Sequence, residues 1–298
     1  MNANRDSETG PWRHSPVDLS GIVPPKDAPS HPAAKADLFG RPPQTFFHKY
    51  ESLILGGGAV LLVLAIWQAC WSAGMISPLF LSGPSAIARQ FYETLLHGTL
   101  LADIAYSGRN FVIGFALALA AGVVLGVVIG WYRRARLLCD PFLNALYATP
   151  RIAMVPMIII WFGIGMWSKV FIVFMSAFFP ILVNTVGGIR TIDADLLRSA
   201  RAFCASDWQI FKTLAIPGSV PFILTGIRQG VALGLIGVVV GEMFGGSQGV
   251  GFMVAYGGQT FATDTLFVGV LIIAFAGILL TSLAEKLERH FSRWRPER

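Results

Sequence analysis

Long apolar runs separated by short polar connections dominate the chain after residue 52. A helix needs about 20 apolar residues to cross the hydrocarbon core of a bilayer. The runs that reach or approach this length predict six membrane-spanning helices, over 52–70, 110–130, 152–167, 170–189, 220–243 and 265–284. Pro156 and Pro180 fall inside the third and fourth runs and predict kinks that neighbouring helices can accommodate. The expected fold class is an all-α membrane protein with six transmembrane helices.

The composition favours a chain embedded in lipid. Hydrophobic residues make up 54% of the sequence and charged residues 13%, whereas soluble domains carry about 25% charged residues. The chain has three widely separated cysteines, Cys70, Cys139 and Cys204. We expect them to have packing roles rather than to form disulfides or a zinc site. The five histidines have no metal-ligand spacing, so no metal is expected either.

The basic residues are distributed by membrane side, which predicts the orientation. If both termini are cytoplasmic, all 23 Lys and Arg residues except Arg89, Arg109 and Lys169 lie on the cytoplasmic side, with Arg151 at the foot of the third span. The net charge of +6 then reflects sidedness, so we expect contact with membrane lipid and not with nucleic acid.

The remaining segments complete a predicted domain layout. The first residues are rich in Pro, Asp and Ser without apolar periodicity, which is typical of disorder. After Pro84-Ser85, Ile87, Phe91 and Leu95 recur at helical spacing and indicate an amphipathic interfacial helix. The layout is a disordered cytoplasmic tail at 1–48, a first transmembrane helix at 49–72, an outer segment at 73–108, a core at 109–285 containing a long loop at 190–217, and a basic cytoplasmic tail at 286–298.

The loop at 190–217 predicts two short helices joined by a turn. Asp193 and Asp195 supply capping oxygens for the first helix, and Cys204-Ala205 interrupts it. Ser206 and Gln209 have the spacing of a capping box that starts the second helix. The apolar positions at helical spacing are Leu196, Leu197, Ala200 and Phe203 in the first helix and Trp208, Phe211 and Ala215 in the second, which Pro217 is expected to end.

This loop resembles the "EAA" signature of permeases of bacterial binding-protein-dependent ABC importers. The matching stretch is Arg198-Ser199-Ala200-Arg201-Ala202-Phe203-Cys204-Ala205-Ser206, followed by Leu214-Ala215-Ile216-Pro217. The chain departs from the signature where Arg198 stands at the glutamate position and Cys204 at the glycine position. Further stretches at 82–85, 161–165, 178–185, 188–190 and 237–243 resemble the nitrate, sulfonate and taurine branch of that family.

The resemblance implies a type I (MetI-like) permease fold in the bacterial inner membrane. It implies a homodimer, a cytoplasmic ATP-binding subunit onto which the loop docks, and a periplasmic solute-binding protein. The implied solute is a small anion such as a sulfonate, taurine or nitrate, although some relatives import thiamine-precursor pyrimidines. No G-x-x-x-x-G-K-[ST] motif is present, so ATP hydrolysis is assigned to the partner, and no catalytic site or cofactor is expected.

Charged and polar residues within the spans are candidates for the translocation pathway. Arg109 and Glu242 lie near the outer ends of spans two and five. They either approach each other or line the outer mouth of the pathway, or they instead extend to the membrane interface or cap the glycine-rich outer loop. Asn184, Thr185 and Gln229 either line the pathway or make hydrogen bonds between helices. Arg190 and Arg228, beside the loop, are expected to anchor to phosphates or helix carboxyl ends.

Glycines at four-residue spacing predict close helix packing. They are Gly122, Gly126 and Gly130; Gly226, Gly230 and Gly234; and Gly237, Gly241 and Gly245. Such stripes also occur in channels and secondary transporters, which are the main alternative, but those classes leave the loop at 190–217 unexplained. A membrane-embedded enzyme would need clustered His, Asp or Glu, which the sequence lacks.

Overall fold

A computed structural model describes residues 46–292, with side chains over 55–146 and 149–289. The chain divides after Val60 into two units, and the described part of the first, residues 46–60, is the first half of one helix. All regular structure over 46–292 is helical. The helices are α1 Phe46–Ser72, α2 Pro84–His97, α3 Leu100–Trp131, α4 Arg133–Ala148, α5 Val155–Phe162, α6 Met166–Arg190, α7 Ala194–Ala202, α8 Asp207–Ile210, α9 Ile216–Gly245, α10 Val250–Gln259 and α11 Thr263–Ser292.

Five of these helical stretches are long and apolar enough to cross a membrane by themselves. They are Leu55–Ser72, Leu100–Trp131, Met166–Arg190, Asp207–Gly245 and Thr263–Arg289. A sixth crossing arises if Arg133–Leu146 and Arg151–Phe162, which meet at a bend of 84°, form one broken span. The predicted all-α membrane fold is therefore confirmed. Most of the tail predicted at 1–48, and the last residues of the tail at 286–298, lie outside the described residues.

The third span, predicted over 152–167 with a kink at Pro156, ends earlier than predicted. A 3₁₀ turn at Arg151–Met154 leads into α5, which ends at Phe162 because Gly163 turns the chain with φ +75°. The residues after Trp131, between the predicted second and third spans, form α4. The second span also begins at Leu100, so the last part of the predicted outer segment at 73–108 belongs to α3.

Helix α6 lies at the centre of the bundle, clamped between glycines of α3 and α9. It is the most buried of the five spans, with 50% of its most apolar stretch inside the protein. A Cβ placed on Gly126 of α3 would lie 2.6 Å from the Thr185 Cβ atom, and one placed on Gly226 of α9 would lie 2.9 Å from the Asn184 Cβ atom. The predicted glycine stripes thus bring three helix backbones together within one chain.

The two ends of this bundle carry different structures. One, which we name the loop end, carries residues 190–217. The other, which we name the cap end, carries residues 245–251 between α9 and α10. Helix α2, the predicted interfacial helix, packs Ile87 in a cluster with Leu100, Met253 and Val268. Its N-cap is Gly83 rather than a Ser or Pro, with the Ser85 N–H donating to Gln68 Oε1 at 3.0 Å.

Candidate functional site

At the loop end, α7 is closed by local hydrogen bonds at both of its ends. The Asp193 carboxylate accepts the Asp195 N–H at 2.8 Å, as the sequence predicts for a cap. At the other end the Ala205 N–H donates to the Ala200 carbonyl at 3.0 Å and the Cys204 N–H to the Arg201 carbonyl at 2.9 Å. This pair of bonds is a Schellman motif, which requires a left-handed residue, and Cys204 has φ +57°. Cys204 is exposed, so the prediction that it packs in the interior is wrong.

The second helix of the loop begins at the predicted capping box. The Ser206 hydroxyl accepts the Gln209 N–H at 3.3 Å, and the Gln209 side chain accepts the Ser206 N–H at 2.8 Å. Pro217 does not end this helix. A π turn at Phe211–Ala215 joins α8 to α9 without a break, with the Ile216 N–H donating to the Phe211 carbonyl. Pro217 lies just after the π turn, so the helix continues through the residue that was expected to end it.

The loop presents large apolar side chains to its surroundings. Phe203 is 88% exposed, Trp208 68% and Leu196 54%. The Trp208 ring stacks on Phe211 at 5.5 Å between centroids, and Phe211 meets Trp131 of α3 edge-on at 4.9 Å. Arg198, at the signature's glutamate position, is exposed and forms an ion pair with Asp195 one turn earlier. Ser199 and Ser206 are also exposed, whereas Ala200 and Ala205 are half-buried.

The predicted pathway residues of α6 and α9 are partly brought together. The Asn184 side-chain amide donates to Gln229 Oε1 at 3.0 Å and to the Pro180 carbonyl at 2.8 Å. Gln229 is exposed and Asn184 half-buried, so the pair lies at a surface of the bundle. Thr185 is fully buried and its hydroxyl donates to the Ile181 carbonyl at 2.7 Å. Asn184 and Gln229 therefore make the hydrogen bond between helices that was one of the two alternatives. Thr185 takes no part in it, because its hydroxyl bonds within its own helix.

Glu242 and Arg109 do not meet. The buried Glu242 carboxylate accepts the Ser107 hydroxyl at 2.7 Å, the Asn110 amide at 3.2 Å and the Gly251 N–H at 3.0 Å. Arg109 is exposed and lies over the Tyr106 ring, 5.5 Å from its centroid. The Glu242 carboxylate thus caps the glycine-rich loop that leads into α10, which is one of the alternatives that the sequence left open.

Three consecutive amides at the start of α10 are held by side chains of other helices. The Gly249 N–H donates to the Asp103 carboxylate at 2.8 Å, the Val250 N–H to the Ser107 hydroxyl at 2.9 Å, and the Gly251 N–H to Glu242. Helix amino termini favour negative charge, so these contacts tie α3 and α9 to α10. The cap end is therefore built from specific polar bonds rather than from apolar packing alone.

Sequence reasoning missed the role of Lys169, which it assigned to the outer surface. Lys169 is 2% exposed, and its amine donates to the Gly165 carbonyl at 3.0 Å and to the Gly245 carbonyl at 2.5 Å. The position of a lysine beside an apolar run and a glycine turn could have indicated such a bond to carbonyls. At the loop end, Arg228 lies 3.6 Å from the Glu288 carboxylate and 3.9 Å from that of Glu285, which anchors α9 to α11.

A family model supplies the deciding comparison. Residues 118–294, more than half of the chain, match the binding-protein-dependent transport system inner membrane component. This chain is a permease of that family. The permease is 35% identical over 234 residues to a protein named as an aliphatic sulfonates transport permease of Bacillus subtilis (strain 168), covering 78% of this chain and 85% of the relative. It is 29% identical over 252 residues to the taurine transport system permease protein of Escherichia coli (strain K12), covering 83% and 92%.

A structural neighbour supports the same fold. The permease matches a chain of the MetNI methionine ABC transporter in an inward-facing conformation with a TM-score of 0.56 at 15% identity, covering 64% of this chain and 95% of the neighbour. The MetI-like fold predicted from the sequence is thereby confirmed. The permease is a multi-pass inner-membrane subunit of an ABC importer rather than an enzyme, and its partners are an ATP-binding subunit and a solute-binding protein.

Proposed function

We propose that residues 198–206 of the permease dock onto the ATP-binding subunit and pass its movement to α9. The observation that carries this proposal is the continuity of α8, the π turn and α9 as one helix from Asp207 to Gly245. A rigid helix transmits a displacement at one end to the span that it continues. Phe203 within this segment and Leu196 just before it are both exposed, and they supply the apolar contact that such docking buries.

The proposed assembly is a homodimer with both termini of each chain in the cytoplasm. The basic residues cluster on the side of the loop at 190–217, which supports this orientation. We assign the permease core to residues 109–285, with the segments at 1–48, 49–72, 73–108 and 286–298 as flanking regions, and the family match over 118–294 supports that assignment. The exposed pair of Asn184 and Gln229 would then face the path between the two copies.

The proposed solute is a small organic sulfonate such as taurine. Relatives named for aliphatic sulfonates and taurine cover most of this chain, which supports the class. A relative named as the riboflavin transport system permease of Chloroflexus aurantiacus is 34% identical over 235 residues, covering 79% of this chain and 88% of the relative. Identity at this level is therefore compatible with different solutes, so the solute must be tested by uptake.

Purification of the permease with its ATP-binding subunit in mild detergent tests the docking site. Phe203→Asp places a charge in the exposed apolar patch, and we expect it to release the ATP-binding subunit. Phe80, 75% exposed and remote from the loop in sequence, offers a matched control, because Phe80→Asp should leave the complex intact. Retention of the ATP-binding subunit by Phe203→Asp, with solute-stimulated ATPase unchanged, would refute the docking assignment.

A further inference from the structure

Arg151 is held beside the central helix by its guanidinium group. Its Nη1 atom donates to the Ser176 carbonyl at 3.4 Å, and its Cζ atom lies 5.4 Å from the centroid of the Phe179 ring. Both partners belong to α6, which is the most buried span. The sequence assigns Arg151 to the basic cytoplasmic face, and the structure instead draws its side chain along α6.

The depth of this contact follows from the length of α6. The helix runs from Met166 to Arg190, and Ser176 follows its first residue by 10 positions and precedes its last by 14. At a rise of about 1.5 Å per residue, Ser176 lies roughly 15 Å from one end and roughly 21 Å from the other. The hydrocarbon core is about 30 Å thick, so with α6 spanning it, we infer that the contact between the guanidinium and Ser176 falls near its middle. An ionised group at that depth is expensive and is typically found where solutes or ions pass.

The backbone next to Arg151 also argues against a surface covered by lipid. Helix α4 ends before Thr149, and the chain resumes regular structure only with the 3₁₀ turn at Arg151. Pro150 is exposed in this break and Ile152 is 59% exposed. Irregular backbone at membrane depth is tolerated only where it faces protein or a water-filled cavity. The exposed side of this break therefore faces a partner copy or an aqueous path.

The same face of the bundle carries the polar pair described above. Arg151, Ser176 and Ile236 line one cavity of about 20 Å³. On α9, Ile236 continues an exposed stripe through Leu233 to Gln229, at intervals of three and four residues. That stripe connects the Arg151 cavity to the pair of Gln229 and Asn184. The cavity has room for about one water molecule, so a solute group can occupy it only when α5 and α9 separate.

We propose that the Arg151 guanidinium binds the sulfonate group of the solute halfway along the translocation path. A guanidinium presents five N–H donors in a planar fork, and the Ser176 carbonyl accepts from one of the two terminal nitrogens. The Phe179 ring supports the plane of the fork by cation–π contact. Two parallel N–H bonds to oxyanion oxygens match this geometry. The inference rests on the proposed function, because it requires an anionic solute.

Uptake by the complete complex in liposomes tests the assignment. With ATP-binding subunit and taurine-loaded binding protein, we expect Arg151→Gln to lower the maximal uptake rate of taurine about tenfold or more, the effect of losing a charge-assisted hydrogen bond. Arg151→Lys keeps the charge but loses the planar fork, so its uptake rate should lie between those of the wild type and Arg151→Gln. The half-saturating concentration of binding protein should not change. The control is Arg89→Gln, which removes an exposed arginine paired with Glu93 on α2 and should leave uptake unaltered.

Chemical rescue separates charge from packing. In a chain carrying Cys70→Ala, Cys139→Ala and Cys204→Ala, Arg151→Cys is labelled with methanethiosulfonates that add a cationic aminoethyl, a neutral methyl or an anionic sulfonatoethyl group. Uptake is compared with that of the same cysteine-free chain carrying Arg151, because Cys204 belongs to the proposed docking segment. We expect only the aminoethyl group to restore uptake. Equal recovery with the neutral reagent, or no recovery in complexes that mass spectrometry shows to be fully labelled, overturns the proposal.

The uptake results also distinguish a wrong Arg151 assignment from a wrong proposed function. Wild-type rates in Arg151→Gln, with taurine taken up normally, would overturn the Arg151 assignment and leave the proposed function intact. A wild-type complex that imports another solute with coupled ATPase, and no sulfonate, would refute the proposed solute and the Arg151 assignment with it.

Discussion

Replacing Cys204 with glycine should stabilise the turn that joins α7 to α8. Cys204 has φ +57°, a region that residues with a Cβ atom occupy at a cost of about 1 to 2 kcal/mol. Glycine removes this cost and keeps both Schellman bonds, because they use the backbone amides of Cys204 and Ala205. The greater freedom of glycine in the opened turn offsets about 0.4 to 1 kcal/mol of the gain. The expected net stabilisation is about 0.5 to 1 kcal/mol.

Hydrogen exchange at the amides of residues 204 and 205 measures this change directly. Local opening of the turn controls their exchange, so a stabilisation of about 0.5 to 1 kcal/mol slows it about two- to fivefold. The amide of Ile210, which donates to the Ser206 carbonyl in the next helix, serves as an internal reference and should not change.

Two further substitutions identify the cause. Cys204→Ala removes the thiol but keeps the Cβ atom, so its exchange should not slow. Cys204→Val adds a β-branch at a left-handed position, and its exchange should be faster than in the wild type. Equal slowing of exchange in the glycine and alanine variants would refute backbone strain as the cause, because loss of the thiol is the only change that the two variants share.

Two other predictions concern the helix contacts. Glu242→Ala leaves three donors without their acceptor in a buried site and should lower the free energy of unfolding by about 3 kcal/mol or more. A lower melting temperature in detergent would show this loss. Glu242→Gln should lose less stability, because its amide oxygen still accepts a hydrogen bond. Gly126→Val forces α3 away from α6, so the folded yield on size-exclusion chromatography should fall. Gly108→Val on the same helix meets no atom within 4 Å and should behave as the wild type; equal losses in both would contradict the clamp around α6.

The loop at 190–217 could be predicted because its signals are local. Capping oxygens at Asp193 and Ser206 act within three residues of their own position, and each makes the bond that its spacing predicts. Pro217 was misjudged because proline ordinarily ends an α-helix. Nothing in the sequence signals the π turn just before it, where the hydrogen-bond pattern changes and the helix continues.

The pathway residues were harder to predict because their partners are distant in sequence. Glu242 accepts hydrogen bonds from Ser107 and Asn110, which lie more than 130 residues away in the sequence. The sequence around position 242 therefore shows a charged residue in an apolar run but does not show its partners. The end of the third span was misplaced for a different reason. Gly163 lies inside an apolar run, and hydropathy does not reveal the positive φ with which it ends α5 at Phe162.

The π turn between α8 and α9 accommodates one extra residue between the loop and the span. A π turn holds one more residue than an α turn, whereas one residue added to an uninterrupted α-helix rotates everything beyond it by about 100°. Removing one residue within Phe211–Ala215 would close the π turn to an α turn and would therefore leave Trp208 on the same face of the common axis. Related chains with and without this extra residue would thus present the same face of the loop to their partners, although their loops differ by one residue in distance along the sequence from the span.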